Sequence, residues 1–314
     1  MNNDEFLWVE KYRPNRIADT ILPAQLKQTF QTFVNQKNIP NLLLTGGAGV
    51  GKTTVARAML EELDCDYMII NGSLEGRQID TLRNEIANFA SSVSLMGGRK
   101  YLIIDEADYL NPQSMQPALR NFMENLASNC GFILTCNYKN KIIAPLHSRC
   151  AVVEFRISKE DKPKIATQFL KRIQSILEAE NVPYDNAVVA ELMKRHFPDW
   201  RRILNELQRY SATGAIDTGI LANSGDINTE KIISYIKEKD FTSARKWLRE
   251  NSDLSQDELF RKLFDATNEK IEGPSIPDWI MILADYQYKS AFVANQEINF
   301  AACIAALMAN CTLK

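Results

Sequence analysis

Apolar and polar positions follow two regimes along this chain. From Asn41 to Phe155, short apolar runs recur between helical stretches. Asn41-Leu42-Leu43-Leu44-Thr45, Tyr67-Met68-Ile69-Ile70-Asn71, Lys100 to Ile104, Gly131 to Asn137 and the short Ala151 to Phe155 read as strands. Between them, residues 24–37 place Leu26, Phe30 and Phe33/Val34 on one helical face, and Thr54 to Leu60 reads as a helix. Ile79 to Ser92 is a further helix, with Ile79, Leu82, Ile86 and Phe89/Ala90 as its buried face. Strands alternating with helices predict an α/β fold, a parallel doubly wound sheet that holds its ligand at the strand C-terminal ends.

Beyond Phe155 the strand signal stops. Residues 158–180, 186–196 and 200–212 read as helices, and the polar, glycine-containing stretch from Thr213 to Asp226 reads as a linker. A last helical block runs from Asn228 to the C-terminus, with breaks expected at Gly273-Pro274 and Pro277. The expected domains are residues 1–156, 157–222 and 223–314. At 314 residues the chain is too long for one small core, which fits this division.

The chemistry concentrates at two strand ends. Gly46-Gly47-Ala48-Gly49-Val50-Gly51-Lys52-Thr53 fits G-x-x-x-x-G-K-[ST] between a strand and a helix, the context a phosphate-binding loop requires. Its glycines let backbone N–H groups approach phosphate at a helix N-terminus. Lys52 is expected to reach the β- and γ-phosphates of ATP, and Thr53 to hold Mg²⁺ with Asp105. About 50 residues downstream the strand Tyr101-Leu102-Ile103-Ile104 ends in Asp105-Glu106, where Glu106 is placed to activate water. Asn137, at the end of a later strand, is within expected reach of the γ-phosphate or that water.

Composition narrows the classes. Hydrophobic residues make up 45% and charged residues 24%, as in ordinary globular domains, and the net charge of −2 leaves nucleic-acid binding to a local patch. Six scattered cysteines without a C-x-x-C pair suggest reduced thiols, and Cys130, Cys136, His147 and Cys150 lack the knuckle spacing of a zinc site. No apolar signal core opens the chain, and Phe300 to Met308 is too short to span a bilayer, so the expected location is cytoplasmic, with no membrane partner. Residues 4–16 mix aromatic and basic side chains in an irregular segment that, on composition alone, is an arm that packs down.

Together these motifs resemble those of AAA+ sliding-clamp loader subunits of the replication factor C type, most nearly the large subunits of T-even-type phages. Trp8-Val9-Glu10-Lys11-Tyr12-Arg13-Pro14 resembles the N-terminal box that lies against adenine, and Asp105-Glu106-Ala107-Asp108 the Walker B box. Asn137 falls at the first sensor. Ser148-Arg149-Cys150 resembles the motif whose arginine reaches the neighbouring subunit's ATP site, and Pro198 to Gln208 resembles the second-sensor helix with Arg201 at its sensor position. The resemblance implies an AAA+ domain, a helical lid and an all-α collar. It implies ATP contacts from Val9, Tyr12, Arg13, the loop Gly46 to Thr54 and Arg201. Catalytic roles fall to Glu106, Lys52, Asn137 and Arg201, with Arg149 acting in trans. It further implies a DNA- and clamp-stimulated ATPase that opens a sliding clamp and loads it on primer–template DNA. The partners would be that clamp, DNA phosphates, copies of the chain itself and a small subunit, in a hetero-pentamer. Arg77, Gln78, Arg83 and Arg120 are the implied DNA contacts, Gln116 the relay to Glu106, and Val93, Leu95 and Met96 the clamp contact. Pro117 is unexpected in the helix carrying Gln116 unless it falls in the first turn. The competing readings are another AAA+ DNA motor, such as a helicase loader or branch-migration protein, and a non-catalytic scaffold subunit.

Overall fold

The computed structural model describes residues 6–73, 79–94, 98–212, 214–220, 229–250, 256–290 and 292–314, and leaves the side chains of residues 79–83, 229, 256–258 and 268 outside that description. The fold divides into two compact units, residues 1–221 and 222–314.

Five parallel strands form one sheet in the first unit: β1 (Leu42–Thr45), β2 (Tyr67–Asn71), β3 (Lys100–Asp105), β4 (Cys130–Cys136) and β5 (Ala151–Glu154), in the order β2-β3-β4-β1-β5. Successive residues point to opposite faces, so each apolar run fills two cores. Leu43, Ile70, Leu102, Ile104, Phe132 and Leu134 pack under α4 (Ile79–Ser91) and α5 (Met115–Asn125). Leu42, Leu44, Ile103 and Ile133 pack under α2 (Ala24–Asn35) and α3 (Lys52–Glu62). This three-layer burial explains why β1 and β4 are buried throughout, whereas the edge strand β5 is mostly exposed.

Register sets where the chemistry emerges. Thr45 lies opposite Cys136, and Ile104 opposite Leu134. The loops after β1, β3 and β4 therefore leave the same edge of the sheet side by side, as the doubly wound pattern predicts.

The helices α7 (Lys162–Ala179), α8 (Asn186–His196) and α9 (Trp200–Ser211) pack around Ile173, Leu177, Leu192, Ile203 and Leu207. Asp185 and Asp199 cap the amides of Ala187 and Arg202 at the starts of α8 and α9. Part of the expected linker belongs to this helical core. Ile216 and Ile220 are buried, the Ile216 amide donates to the Pro183 carbonyl at 2.8 Å, and the Asp185 amide donates to Ile216 at 3.0 Å. Two buried isoleucines outweigh the polar composition around them. The N-terminal segment also departs from expectation, forming the short helix α1 (Trp8–Lys11).

The second unit contains the described helices α10 (Thr229–Glu238), α11 (Phe241–Glu250), α12 (Gln256–Asp265), α13 (Thr267–Lys270), α14 (Ile276–Ser290) and α15 (Gln296–Asn310). Ile232, Trp247, Phe260, Trp279, Phe300 and Leu307 form its core. The break expected at Pro277 does not occur: Pro277 is the second residue of α14, where a missing N–H costs no helical bond. Gly273-Pro274 does interrupt the block, as a 3-10 turn. Among the described residues no helix is long and apolar enough to cross a membrane.

Candidate active site

Gly51 adopts left-handed backbone (φ +94°) and starts α3, so the phosphate loop turns directly into a helix N-terminus. Lys52 follows. Its ammonium donates to the Gly46 and Gly47 carbonyls at 2.9 and 2.6 Å and to Asn137 Oδ1 at 2.8 Å. Burial pushes its pKa below the ordinary lysine range, and the Asp105 carboxylate opposes that shift. The expected lysine and sensor asparagine are thus joined across two loops.

The next residue closes the other half. Thr53 Oγ1 donates to Asp105 Oδ1 at 2.6 Å, and Thr135 Oγ1 donates to the same oxygen at 2.5 Å. Thr135 Oγ1 also accepts the Glu106 amide at 3.0 Å. One β4 hydroxyl therefore fixes both Walker B carboxylate residues. A hydroxyl and a carboxylate in contact are hard oxygen donors and fit Mg²⁺. Glu106 is itself left-handed (φ +55°), a conformation uncommon for a residue with a Cβ. Gly72 packs against that turn, and a Cβ there would lie 2.6 Å from the Glu106 carbonyl. Asp108 is buried, and its Oδ2 accepts the amides of Asn137 and Tyr138 at 3.2 and 3.1 Å, which anchors the sensor loop.

One cavity gathers most of the expected nucleotide residues. Val9, Tyr12, Arg13, Ala48, Gly49, Val50, Gly51, Lys52, Thr53, Thr54, Asp105, Glu106, Asn137 and Arg201 all line it. Gly46 and Gly47 enter through their carbonyls on Lys52. The lid reaches the loop directly: the Trp200 amide donates to the Gly49 carbonyl at 3.2 Å, and Asp199 lies so close that a Cβ on Gly49 would sit 1.8 Å from its Oδ1. The N-terminal arm does more than pack down, since Val9, Tyr12 and Arg13 form part of the cavity wall.

Other expected residues lie apart. Arg149 follows α6 (Ala144–His147) and does not line the cavity; its Nε donates to Glu124 Oε1 at 2.9 Å and its Nη1 to the Pro145 carbonyl at 2.9 Å. Arg120 is half-exposed and lies 3.9 Å from the same Glu124. Gln116 is buried, donates to the Leu110 and Lys141 carbonyls at 3.0 Å each, and accepts the Ile143 amide at 2.8 Å. Pro117 is the third residue of α5, within the first turn, so it does not kink the helix. Val93 is 88% exposed. Arg77, Gln78, Leu95 and Met96 lie outside the described residues, as does the side chain of Arg83, whose backbone is in α4. Burial pushes the Cys130 thiol up to about 11 and the Cys150 thiol up to about 12.

Sequence reasoning missed Thr135, Arg172 and Asp199. The signal for Thr135 was a single hydroxyl in the otherwise apolar run Phe132 to Cys136, one residue before the sensor strand ends. Arg172 carried no local signal, because only folding brings it to the cavity wall, and Asp199 lay within the second-sensor stretch with nothing to mark its approach to Gly49.

The chain is similar to known proteins along most of its length. Residues 42–157 match the ATPase family associated with various cellular activities, and residues 161–222 match the AAA+ ATPase lid domain of the sliding-clamp-loader large subunit. The chain is 35% identical over 308 residues to the sliding-clamp-loader large subunit of Enterobacteria phage T4, covering 96% of this chain and 95% of that one. It is 39% identical over 250 residues to the corresponding subunit of Escherichia phage RB69, covering 78% of each. A replication factor C small subunit from Methanothermobacter thermautotrophicus is 30% identical over 316 residues, covering 95% and 96%. Among solved structures, the Thermotoga maritima RuvB Holliday junction branch migration motor aligns with a TM-score of 0.54 at 18% identity, over 72% of this chain and 79% of that one, a likeness of fold alone.

Proposed function

The chain belongs to the sliding-clamp-loader family of AAA+ ATPases, and on that premise we propose that ATP turnover in it is completed by a neighbouring subunit and stimulated by primed DNA together with a clamp. As a family member it is an ATPase subunit of a clamp loader, the machine that opens the polymerase's ring and places it on primer–template DNA. The observation that carries the finer reading is a separation. Lys52, Thr53, Asp105, Glu106 and Asn137 meet in one cavity, while Arg149 lies outside it against Glu124. An arginine held outside its own subunit's cavity supports a finger supplied in trans, whose charge stabilises the transferring phosphoryl group.

In this reading Lys52 and the loop amides hold the phosphates, Asn137 and Arg201 sense the γ-phosphate, and Glu106 takes a proton from the attacking water. Thr53 and Asp105 hold Mg²⁺, which when bound neutralises charge on the phosphate oxygens. Thr135 keeps both carboxylate residues in place. Binding of ATP favours a closed spiral of subunits, and hydrolysis releases it.

The loader's other partners are the sliding clamp, DNA phosphates read without sequence, copies of this chain and a small subunit in a hetero-pentamer. Arg77, Gln78, Arg83 and Arg120 are the proposed phosphate contacts, and Val93, Leu95 and Met96 the proposed clamp contact. Gln116 relays through the backbone of residues 110, 141 and 143, to which its side chain is bonded, rather than by touching Glu106 itself. The place of work is the cytoplasm, a host's cytoplasm for a phage-encoded chain. A scaffold role is disfavoured by the assembled Lys52–Asn137 and Thr53–Asp105 pairs, which a non-catalytic subunit has no need to keep. The test is clamp retention on circular primed DNA: clamps should remain on the DNA after incubation with the chain, its small partner and ATP, and Lys52→Ala should abolish this. Loading without ATP would contradict the proposal.

A further inference from the structure

The segment ahead of the phosphate loop divides between two cores. Trp8 and Tyr12 are buried in the lid core with Phe169, Leu192 and Ile203, whereas Ile17 and Leu22 are buried in the sheet core with Phe30 and Met59. The main change falls across residues 13–16, where Pro14 biases its predecessor toward extended backbone, although Ile21 also packs against the lid core.

Polar contacts divide the same way. Gln208, on α9, brackets the backbone of the arm: its Oε1 accepts the Trp8 amide at 2.9 Å, and its Nε2 donates to the Phe6 carbonyl at 2.7 Å. Glu180, just past α7, accepts the Tyr12 hydroxyl at 2.5 Å and the Lys11 ammonium at 2.7 Å. Arg172, on α7, donates to the Tyr12 carbonyl at 3.0 Å. Towards α3 the link from this stretch is a longer ion pair, Glu10 to Arg57 at 3.7 Å.

From these contacts we infer that residues 6–12 are mechanically part of the lid, and that Gln208 is the positioning residue that fixes the Val9–Tyr12 wall of the nucleotide cavity to the helix bearing Arg201. This rests on the nucleotide reading of that cavity. Gln208 and Arg201 are about two turns apart on α9, so they share a face of one rigid rod. Gln208 grips main-chain atoms, so its hold does not depend on which side chains residues 6 and 8 carry. Apolar Val9, Phe169, Ile176 and Leu204 surround the compartment that this wall closes, which suits a flat base rather than phosphate. A lid movement therefore carries the base wall and Arg201 together relative to the phosphate loop. Base binding and γ-phosphate sensing become two readings of one lid position.

The test separates the base end of the ligand from its phosphate end. The chain, assembled with its small partner subunit, is titrated by calorimetry with ATP and with inorganic tripolyphosphate, as wild type, Gln208→Ala and Glu180→Gln. Gln208→Ala is expected to weaken ATP binding roughly tenfold, the loss of two hydrogen bonds of ordinary net strength, and to leave tripolyphosphate affinity unchanged. Glu180→Gln, which loosens the same wall from α7, shifts ATP affinity in the same direction and also spares tripolyphosphate. Equal weakening of both ligands, or unchanged ATP affinity in both variants, overturns the inference. Should Gln208→Ala fail to fold, Glu180→Gln decides alone. Wild-type protein that binds neither ligand would sink the nucleotide reading itself, and the inference with it.

Discussion

Arg149 is held in cis by Glu124: its Nε donates to Glu124 Oε1 at 2.9 Å, and its Nη2 reaches the same oxygen. Nη1 is engaged as well, by the Pro145 carbonyl at 2.9 Å and Ser148 Oγ at 3.3 Å. To meet a neighbour's phosphate the guanidinium must exchange some of these bonds. The pair is about one-third exposed at Arg149 and more at Glu124, so it is weak and readily exchanged. Arg149→Ala should therefore leave ATP affinity unchanged while lowering stimulated hydrolysis by about 10³-fold or more, the usual weight of such a finger. Steady-state hydrolysis beside calorimetric ATP titration checks this. Retained stimulation would remove Arg149 from the reaction.

Thr135 makes two bonds at the heart of the site, to the Asp105 carboxylate and from the Glu106 amide. Thr135→Val keeps the shape and removes both. It should lower unfolding free energy by about 1 kcal/mol, since the half-buried Glu106 amide loses its partner while Asp105 Oδ1 keeps only the Thr53 hydroxyl. Hydrolysis should fall further than ATP affinity. Urea denaturation and a comparison of kcat with ATP Kd check the two halves.

Gly49 has left-handed backbone (φ +69°), and the site of its missing Cβ is 1.8 Å from Asp199 Oδ1. Gly49→Ala must displace the Asp199 carboxylate, which caps the Arg202 amide at the start of α9, and also costs about 1 kcal/mol or more in backbone strain. ATP affinity should drop, and the additional change Asp199→Ala should recover part of it by removing the obstructing carboxylate. No recovery would mean that backbone strain alone accounts for the loss.

Glu180 ties the N-terminal arm to α7 by accepting from Lys11 and Tyr12. The Lys11 bond, then the Tyr12 bond, hold its carboxyl below the ordinary glutamate range. A carboxyl depressed on folding stabilises above its unfolded pKa and loses that contribution as pH falls through the folded value. The bond to Glu180 holds the Lys11 ammonium above its ordinary range, so the tie persists from neutral pH up to the lysine range. The melting-temperature gap between wild type and Glu180→Gln should be full at neutral pH and shrink below the ordinary glutamate range. A gap independent of pH would show that the ionised carboxylate is not what matters.

The strands and the chemistry at their ends were legible because period and motif coincide there: the run Leu42-Leu43-Leu44 must be buried on both faces, and Gly51-Lys52-Thr53 must follow it. Lys52, Thr53, Asp105 and Asn137 come together because parallel register leaves little freedom at that edge. The parts that could not be read are those set by long-range packing. Ile216 looked like linker among Thr213 and Gly214, yet a bridge to Tyr184 draws it into the lid. Pro277 looked like a helix breaker, although a proline breaks a helix only beyond its first turn. Gln208 ended the second-sensor stretch without any sign of its partner, and Glu180 gave no local sign, because those partners lie 200 and 168 residues away.

The central claim is that this chain turns over ATP under joint control of DNA and clamp. Its most direct test is steady-state ATP hydrolysis by the chain with its small partner subunit, with and without primed DNA and a cognate sliding clamp. Strong stimulation by DNA and clamp together, beyond either alone, is the predicted result. Stimulation by DNA that is indifferent to the clamp, or no turnover in a mixture that demonstrably binds ATP, would contradict it.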